Sequence, residues 1–248
     1  DYKRLTVRFR LLTQFISAIL LVSSGIIINE IDFGNFKINL NELSYLFTIF
    51  IILFYINSYN FIDGHDGVCS SLSLIFLLPC IFILNFSNQF EKNIIVFLVF
   101  SLIFFSFFNS GLVKKYKIFL GDSGSTTIGI LISYFVIKYG FVENLESYKL
   151  SLLLWLSSLP IFYSANVILI RLRNSKSPFS GDKNHIHHVL SSEKFSKMQT
   201  YLIILFLGCA LAIFGFILSN IFNLFYNLIF MLIFFFFYHL VVYSRIRK

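Results

Sequence analysis

Eight long apolar runs separated by shorter polar segments organise the chain: Leu11 to Ile28, Leu43 to Ile56, Val68 to Phe86, Ile94 to Val113, Thr126 to Val142, Leu150 to Ile170, Tyr201 to Ser219 and Leu224 to Tyr243. A segment crossing lipid must satisfy its own backbone N–H and C=O groups and present apolar side chains, so runs of this length predict transmembrane helices. The second run is short and is expected to extend into its flanks. Residues 29–42, between the first two runs, alternate enough to predict a small hairpin. The pattern therefore predicts an all-α polytopic membrane protein with about eight transmembrane helices, a single transmembrane domain over residues 1–248. Its one long polar segment lies between Arg171 and Thr200.

Composition agrees with the pattern. Hydrophobic residues make up 57% of the 248 and charged residues 13%, with a mean hydropathy of +0.81; soluble domains run nearer about 45–50% and 25%. There is too little polar surface to coat a water-soluble particle. Cys69, Cys80 and Cys209 are widely spaced within apolar segments and form neither a disulfide framework nor a metal site. The chain opens with Asp1 and a basic stretch instead of a Met and an apolar signal segment, which points to a fragment of a longer protein.

A net charge of +8 would suggest nucleic acid in a soluble domain, but here its distribution matters more than its size. With the N-terminus in the cytoplasm, 16 of the 20 Lys and Arg residues fall between runs on the inner side, leaving Lys37, Lys92, Lys138 and Lys149 outside. That bias predicts a cytoplasmic position for both termini. The 12 acidic residues divide evenly, yet five of the inner six are Asp: Asp1, Asp63, Asp66, Asp122 and Asp182.

Three inner loops carry chemistry. The first, Asn57-Ser-Tyr-Asn60-Phe-Ile-Asp63-Gly64-His65-Asp66-Gly67, sets two Asp-Gly pairs three residues apart, placing two carboxylates on one wall of a tight turn. Hard oxygen donors of this kind suit Mg²⁺ or a nucleotide's polar edge, whereas a plainer reading has Asp capping the next helix; the residues leave both open. The second, Gly121-Asp122-Ser123-Gly124-Ser125 after Lys117, opens a helix with free N–H groups for an anion and a carboxylate for a cation. A helix start capped by Ser125 alone would need neither Asp122 nor the second glycine. The third, Asp182-Lys-Asn-His185-Ile-His187-His188, holds three of the five histidines. Phosphate binding by imidazole suits these neighbours better than zinc; solvated interfacial histidines are the plain alternative.

These motifs resemble the polyprenyl-phosphate N-acetylhexosamine-1-phosphate transferase family. Asn57 to Gly67 is similar to its N-x-x-N-x-x-D-G-x-D-G motif, Phe119 to Ser125 to F-[ML]-G-D-x-G-S, and Asp182 to His188 to D-x-x-H-[IL]-H-H. Asp1, followed by Leu5, Arg8, Arg10 and Gln14, is similar to the stretch that begins at the second Asp of the family's Asp-Asp pair. The resemblance implies that the first Asp and about three helices precede residue 1 in the parent protein, so that the fragment alone lacks part of the site. One departure is Tyr163, three residues after Pro160, where the hexosamine-transferring branch usually has Asp.

The resemblance implies an Mg²⁺-dependent reaction at the cytoplasmic face of a bacterial inner membrane. Polyprenyl (undecaprenyl) phosphate attacks a UDP-N-acetylhexosamine, releasing UMP and starting a lipid-linked cell-envelope glycan. On this basis Asp122 ligates Mg²⁺ and Asp1 orients or deprotonates the lipid phosphate. Asn57, Asn60, Asp63, Asp66 and Asn109 position the nucleotide-sugar, His185, His187 and His188 its diphosphate or uridine side, and Lys117 and Arg10 contact phosphate. The expected partners are the two substrates and the bilayer, with a second copy of the chain as one option and no nucleic acid. Two other classes compete. A flippase for lipid-linked sugars would carry ionisable groups near mid-membrane, but the runs hold almost none, with only Lys138 and His239, each near the end of its run. A CDP-alcohol phosphatidyltransferase would need a D-G-x-x-A-R pattern, but Asp66-Gly67 is followed by Val-Cys-Ser-Ser. An inactive member of the family is the remaining alternative.

Overall fold

The computed structural model describes residues 6–86, 88–110, 118–143, 147–177 and 195–246. Helices dominate: α1 (Val7–Ser23), α2 (Ser44–Ile62), α3 (Val68–Ile83), α4 (Gln89–Asn109), α5 (Gly121–Ile137), α6 (Ser147–Leu156), α7 (Ser158–Arg173), α8 (Lys197–Ile221) and α9 (Leu224–Ile246). Between α1 and α2, strands β1 (Glu30–Asp32) and β2 (Lys37–Asn39) pair antiparallel with Ile31 opposite Ile38.

Among the described residues, five helical segments are long and apolar enough to cross a bilayer alone: Asn41–Ile62, Gln89–Asn109, Gly121–Val142, Lys197–Ile221 and Leu224–Arg245. The first gains its length as the short second run predicted, through a leading 3-10 turn and by running on to Ile62. The sixth run departs from a single straight helix. It is bent by 62° between α6 and α7, because Pro160 lacks the N–H that would bond back to Leu156 and its ring crowds that carbonyl. α1 and α3, with 17 and 16 residues, are shorter than the roughly 20 that span a hydrocarbon core unaided. Arg8 and Arg10 make the first turn of α1 polar, and the left-handed Gly67 sets the start of α3.

Contacts sort the helix ends into two groups. At one end, the start of α1 meets the start of α5 through Arg10 and Asp122. The end of α4 meets the α2–α3 turn through Asn109 and Gly67, and the end of α7 meets α2 through Arg171 and Phe61. At the other end, the hairpin meets the α8–α9 turn through Asn35 and Asn223. There Glu91, in the first turn of α4, pairs with Lys138 and Tyr139 just past α5.

The core between these ends is closed by small residues that let backbones approach, as in other helical membrane proteins. Gly215 of α8 lies on Trp155 of α6, where an added Cβ would collide with the Trp155 Cβ. The Trp155 indole donates to Asn227 Oδ1 at 2.9 Å. Tyr55 and Ser58 of α2 reach Ser157 and Ser164 at 2.9 and 2.7 Å, tying α2 to the bent pair. Outward-facing Phe82, Phe97 and Phe206 are more than two-thirds exposed, as expected of side chains that face lipid tails.

Candidate active site

α1 brings the first side chains. Thr6 caps it, its hydroxyl accepting from the Phe9 N–H, and Arg10, Gln14, Ala18 and Val22 follow at four-residue spacing along one face. Ala18, Val22 and Gln14 are buried against α2 and its neighbours. The Gln14 carboxamide oxygen accepts from Asn57 Nδ2 at 3.1 Å, and Asn57 Nδ2 also donates to the Leu53 carbonyl. One turn earlier, Arg10 Nη1 donates to Asp122 Oδ2 at 2.5 Å.

Asp122 stands in the first turn of α5, which begins at Gly121 (φ +69°). The other oxygen of Asp122 accepts from Asn60 Nδ2 at 3.2 Å, and the same amide donates to Ser125 Oγ at 3.0 Å. Ser125 is fully buried and its hydroxyl turns back to the Gly121 carbonyl. It is therefore no cap, and no side chain caps α5. α3 is likewise without a side-chain cap: its N-cap is Gly67 at φ +79°.

Asp63, at the C-terminal end of α2, is half-buried. Burial is the main cause pushing its carboxyl up to about 7, and the charges of Asp122 and then Asp66 add to it. Three carboxylates thus share one region, and Arg10 bonds to one of them, Asp122.

Asn109 has a different setting from the rest. It is buried, its carbonyl oxygen accepts from the Gly67 N–H at 2.6 Å, and its NH₂ donates to the Ile118 carbonyl at 2.7 Å. It clamps the Asp-Gly turn to the segment leading into α5. Tyr201 clamps the same turn from α8: its hydroxyl meets Ser71 Oγ at 2.8 Å and its ring lies where a Cβ on Gly67 would go. Asp1, Lys117, Asp182, His185, His187 and His188 lie outside the described residues.

The structure brings Arg10, Asn60, Asp122 and Ser125 into direct contact, sets Asp63 where the charges of Asp122 and Asp66 act on it, and uses Asn57 and Asn109 as braces. Sequence reasoning left Gln14, Ser125, Tyr201 and the buried Arg171 without roles. Gln14 had a signal in its spacing from Arg10; Tyr201 had none, since its partners lie on another helix. Tyr163, at the position that usually carries Asp, is buried in α7.

The glycosyl transferase family 4 model matches residues 1–140, more than half the chain and every described residue of this cluster. The chain belongs to glycosyl transferase family 4. Among relatives of this family 4 chain, the undecaprenyl-phosphate alpha-N-acetylglucosaminyl 1-phosphate transferase of Escherichia coli K12 is 30% identical over 187 residues, covering 74% of this chain and 50% of that protein. The Yersinia pestis protein of the same name is 28% identical, covering 85% and 59%. A probable undecaprenyl-phosphate N-acetylglucosaminyl 1-phosphate transferase of Bacillus subtilis 168 is 27% identical, covering 89% and 61%. The family 4 chain therefore spans about half the length of the curated relatives it matches.

Proposed function

We propose that the protein transfers N-acetylhexosamine-1-phosphate from a UDP-sugar to undecaprenyl phosphate, with Mg²⁺ held at Asp122 and the site facing the cytoplasm. The observation that carries this reading is the meeting of Arg10, Asn60, Asp122 and Ser125 from three helices at one end of the bundle. The relatives' names supply the lipid acceptor and the sugar phosphate.

The donor set suits a hard cation. Among the described residues no group of three His, Cys, Asp or Glu side chains is close enough to hold a metal alone. Mg²⁺ rarely needs such a cage, since it commonly binds through one or two carboxylates and completes its shell with water and substrate phosphate. Asp122 and Asp63 provide that number; burial first, and then the charges of Asp122 and Asp66, raise the Asp63 carboxyl, and a bound cation would favour its ionised form. When bound, the ion neutralises charge on the diphosphate and the departing UMP.

The chain's own residues do the remainder. An oxygen of the lipid phosphate forms a bond to the donor's β-phosphorus while the bond from that phosphorus to the oxygen bridging the α-phosphate breaks, and UMP leaves with the bridging oxygen. The attacking phosphate has a second pKa near ~6 and is already mostly dianionic at neutral pH, so a strong general base adds little. Arg10 supplies cationic charge, Asn60 fixes the Asp122 carboxylate, and Asn109 and Tyr201 hold the Asp-Gly turn beside it.

The test is UMP release by the purified full-length protein with undecaprenyl phosphate, Mg²⁺ and a panel of UDP-sugars. Asp122→Asn is expected to lower turnover by about 10²-fold or more, the scale for loss of one charge-stabilising group. Release from no donor would sink the transferase reading, and full activity in Asp122→Asn the metal assignment.

A further inference from the structure

Both oxygens of the Asp122 carboxylate carry a donor: Arg10 Nη1 on Oδ2 at 2.5 Å and Asn60 Nδ2 on Oδ1 at 3.2 Å. The two contacts differ in kind. Asn60 sits on the buried face of a long helix and is also tied to the buried Ser125, so it stays in place. Arg10 reaches Asp122 by a flexible stem from the second turn of α1, and the pair is open to solvent, with side chains 38% and 50% exposed. Exposed ion pairs of this kind are weak and exchange readily.

The Arg10 contact is also not needed to hold α1. Gln14 hydrogen-bonds Asn57, and Ala18 and Val22 are buried against α2 and its neighbours; these fix the helix one turn further in. What the guanidinium does at Asp122 is neutralise one of three clustered carboxylates, where a divalent cation would carry out the same task with twice the charge.

We propose that Arg10 is a displaceable counter-ion: it holds Asp122 until a divalent cation takes its place, and the freed guanidinium then binds substrate phosphate. The inference rests on the metal assignment of the preceding section. A guanidinium is suited to both partners, because its planar fork of N–H donors matches carboxylate and phosphate oxygens alike. The exchange keeps local charge nearly balanced at each stage. Without metal, Arg10 faces carboxylate; with metal and substrate bound, it faces the phosphate arriving beside the ion.

The experiment measures binding in place of turnover. Mn²⁺ is titrated into purified protein without substrate and followed by the paramagnetic resonance signal of the free ion. Removing a competitor strengthens binding, so Arg10→Gln is expected to take up Mn²⁺ up to about fivefold more tightly than wild type, the scale of an exposed ion pair. Arg10→Lys, which keeps the charge, should stay near wild type, and Asp122→Asn should lose the site. At saturating Mn²⁺, inorganic phosphate should bind roughly tenfold more weakly to Arg10→Gln, the loss of one charge-assisted contact.

Wild-type protein supplies a check that depends on no variant. Labelling of Arg10 by phenylglyoxal, read by peptide mass spectrometry, should rise when Mn²⁺ is added and should be high throughout in Asp122→Asn. Equal or weaker Mn²⁺ binding by Arg10→Gln, unchanged phosphate affinity, or labelling that does not rise with Mn²⁺ would each overturn the exchange while leaving the metal site standing. Wild-type Mn²⁺ binding by Asp122→Asn would instead overturn the metal assignment beneath it.

Discussion

Gly129 of α5 lies directly against Ile56 of α2: a Cβ on Gly129 would stand 2.6 Å from the Ile56 Cα and 3.0 Å from the Tyr55 carbonyl oxygen. The atoms it would strike are backbone, which cannot turn aside. One turn beyond Ile56 on α2 is Asn60, and one turn before Gly129 on α5 is Ser125, so this contact sets the distance across which Asn60 reaches Ser125 and Asp122.

Gly129→Val is therefore expected to push the helices apart, at the roughly 1–3 kcal/mol typical of overpacking, and to break the Asn60 contacts. Thermal unfolding should show a lowered midpoint, and UMP release should fall by more than tenfold. Gly129→Ala should show a smaller loss in both. A Gly129→Val protein with full turnover would mean that the helix spacing does not govern the site.

Gly215→Ala makes the opposite case. Its Cβ would collide with Trp155, away from Asp122 and among side chains of α6, α8 and α9. The substitution should lower the thermal midpoint by an overpacking cost of about 1–3 kcal/mol while the folded fraction keeps its turnover per molecule. Measuring stability and rate on the same preparation separates the two.

Asn109 predicts the same direction for two substitutions that differ in kind. Asn109→Asp keeps an acceptor for the Gly67 N–H but replaces the donor to the Ile118 carbonyl with a second acceptor. Asn109→Ala leaves a buried N–H and a carbonyl without their partner, at about 1–3 kcal/mol for each unsatisfied group. Both should lower the melting temperature and turnover. If Asn109 acted only by touching substrate, Ala would raise KM and leave stability unchanged.

Asp63 gives a pH dependence whose sign follows from its setting. Its folded-state carboxyl is raised from the ordinary 3.8 up to about 7, so between those values the folded protein holds a proton that the unfolded chain has released. Stability then falls as pH rises through this window and levels off above it. In EDTA, melting temperature should decline from about pH 4 to about pH 7, and Asp63→Asn should flatten that decline. Mg²⁺ should flatten it too, by favouring the ionised carboxyl. A slope unchanged in Asp63→Asn would assign the titration to another group.

Most of the helices were legible because each coincides with an apolar run, a local property of the chain. Their exact ends were less so. The run from Thr126 understates α5, whose first turn is made of the polar residues Gly121 to Ser125; polarity alone could not tell a loop from the start of a helix. The break at Ser157 was hidden because Leu150 to Ile170 is a predominantly apolar run, in which only Ser157-Ser158 and Pro160 hint at it. Within the site, residue types were readable but their layering was not. Asn57 and Asn60 sit in one motif, yet Asn57 faces Gln14 and Asn60 faces Asp122, a division made by partners 43 and 62 positions away in the chain. Asn109 is decided in the same way, by a Gly67 lying 42 positions earlier.

Arg10 and Asp122, finally, are 112 residues apart in the chain. At the usual pace of synthesis, about 5–20 residues per second, the ribosome makes Arg10 on the order of ten seconds before it makes Asp122. For that interval α1 waits in the membrane with an unmatched guanidinium at its end, while Asn57, Asn60 and Asp63 appear and find no α5 to pack against. Arrival of α5 supplies the missing carboxylate, the Ser125 hydroxyl and the Gly129 surface together. Assembly of the Asp122 cluster is thereby a late event, and a chain arrested before residue 121 would hold the Gln14–Asn57 and Asn109–Gly67 braces without the carboxylate they surround.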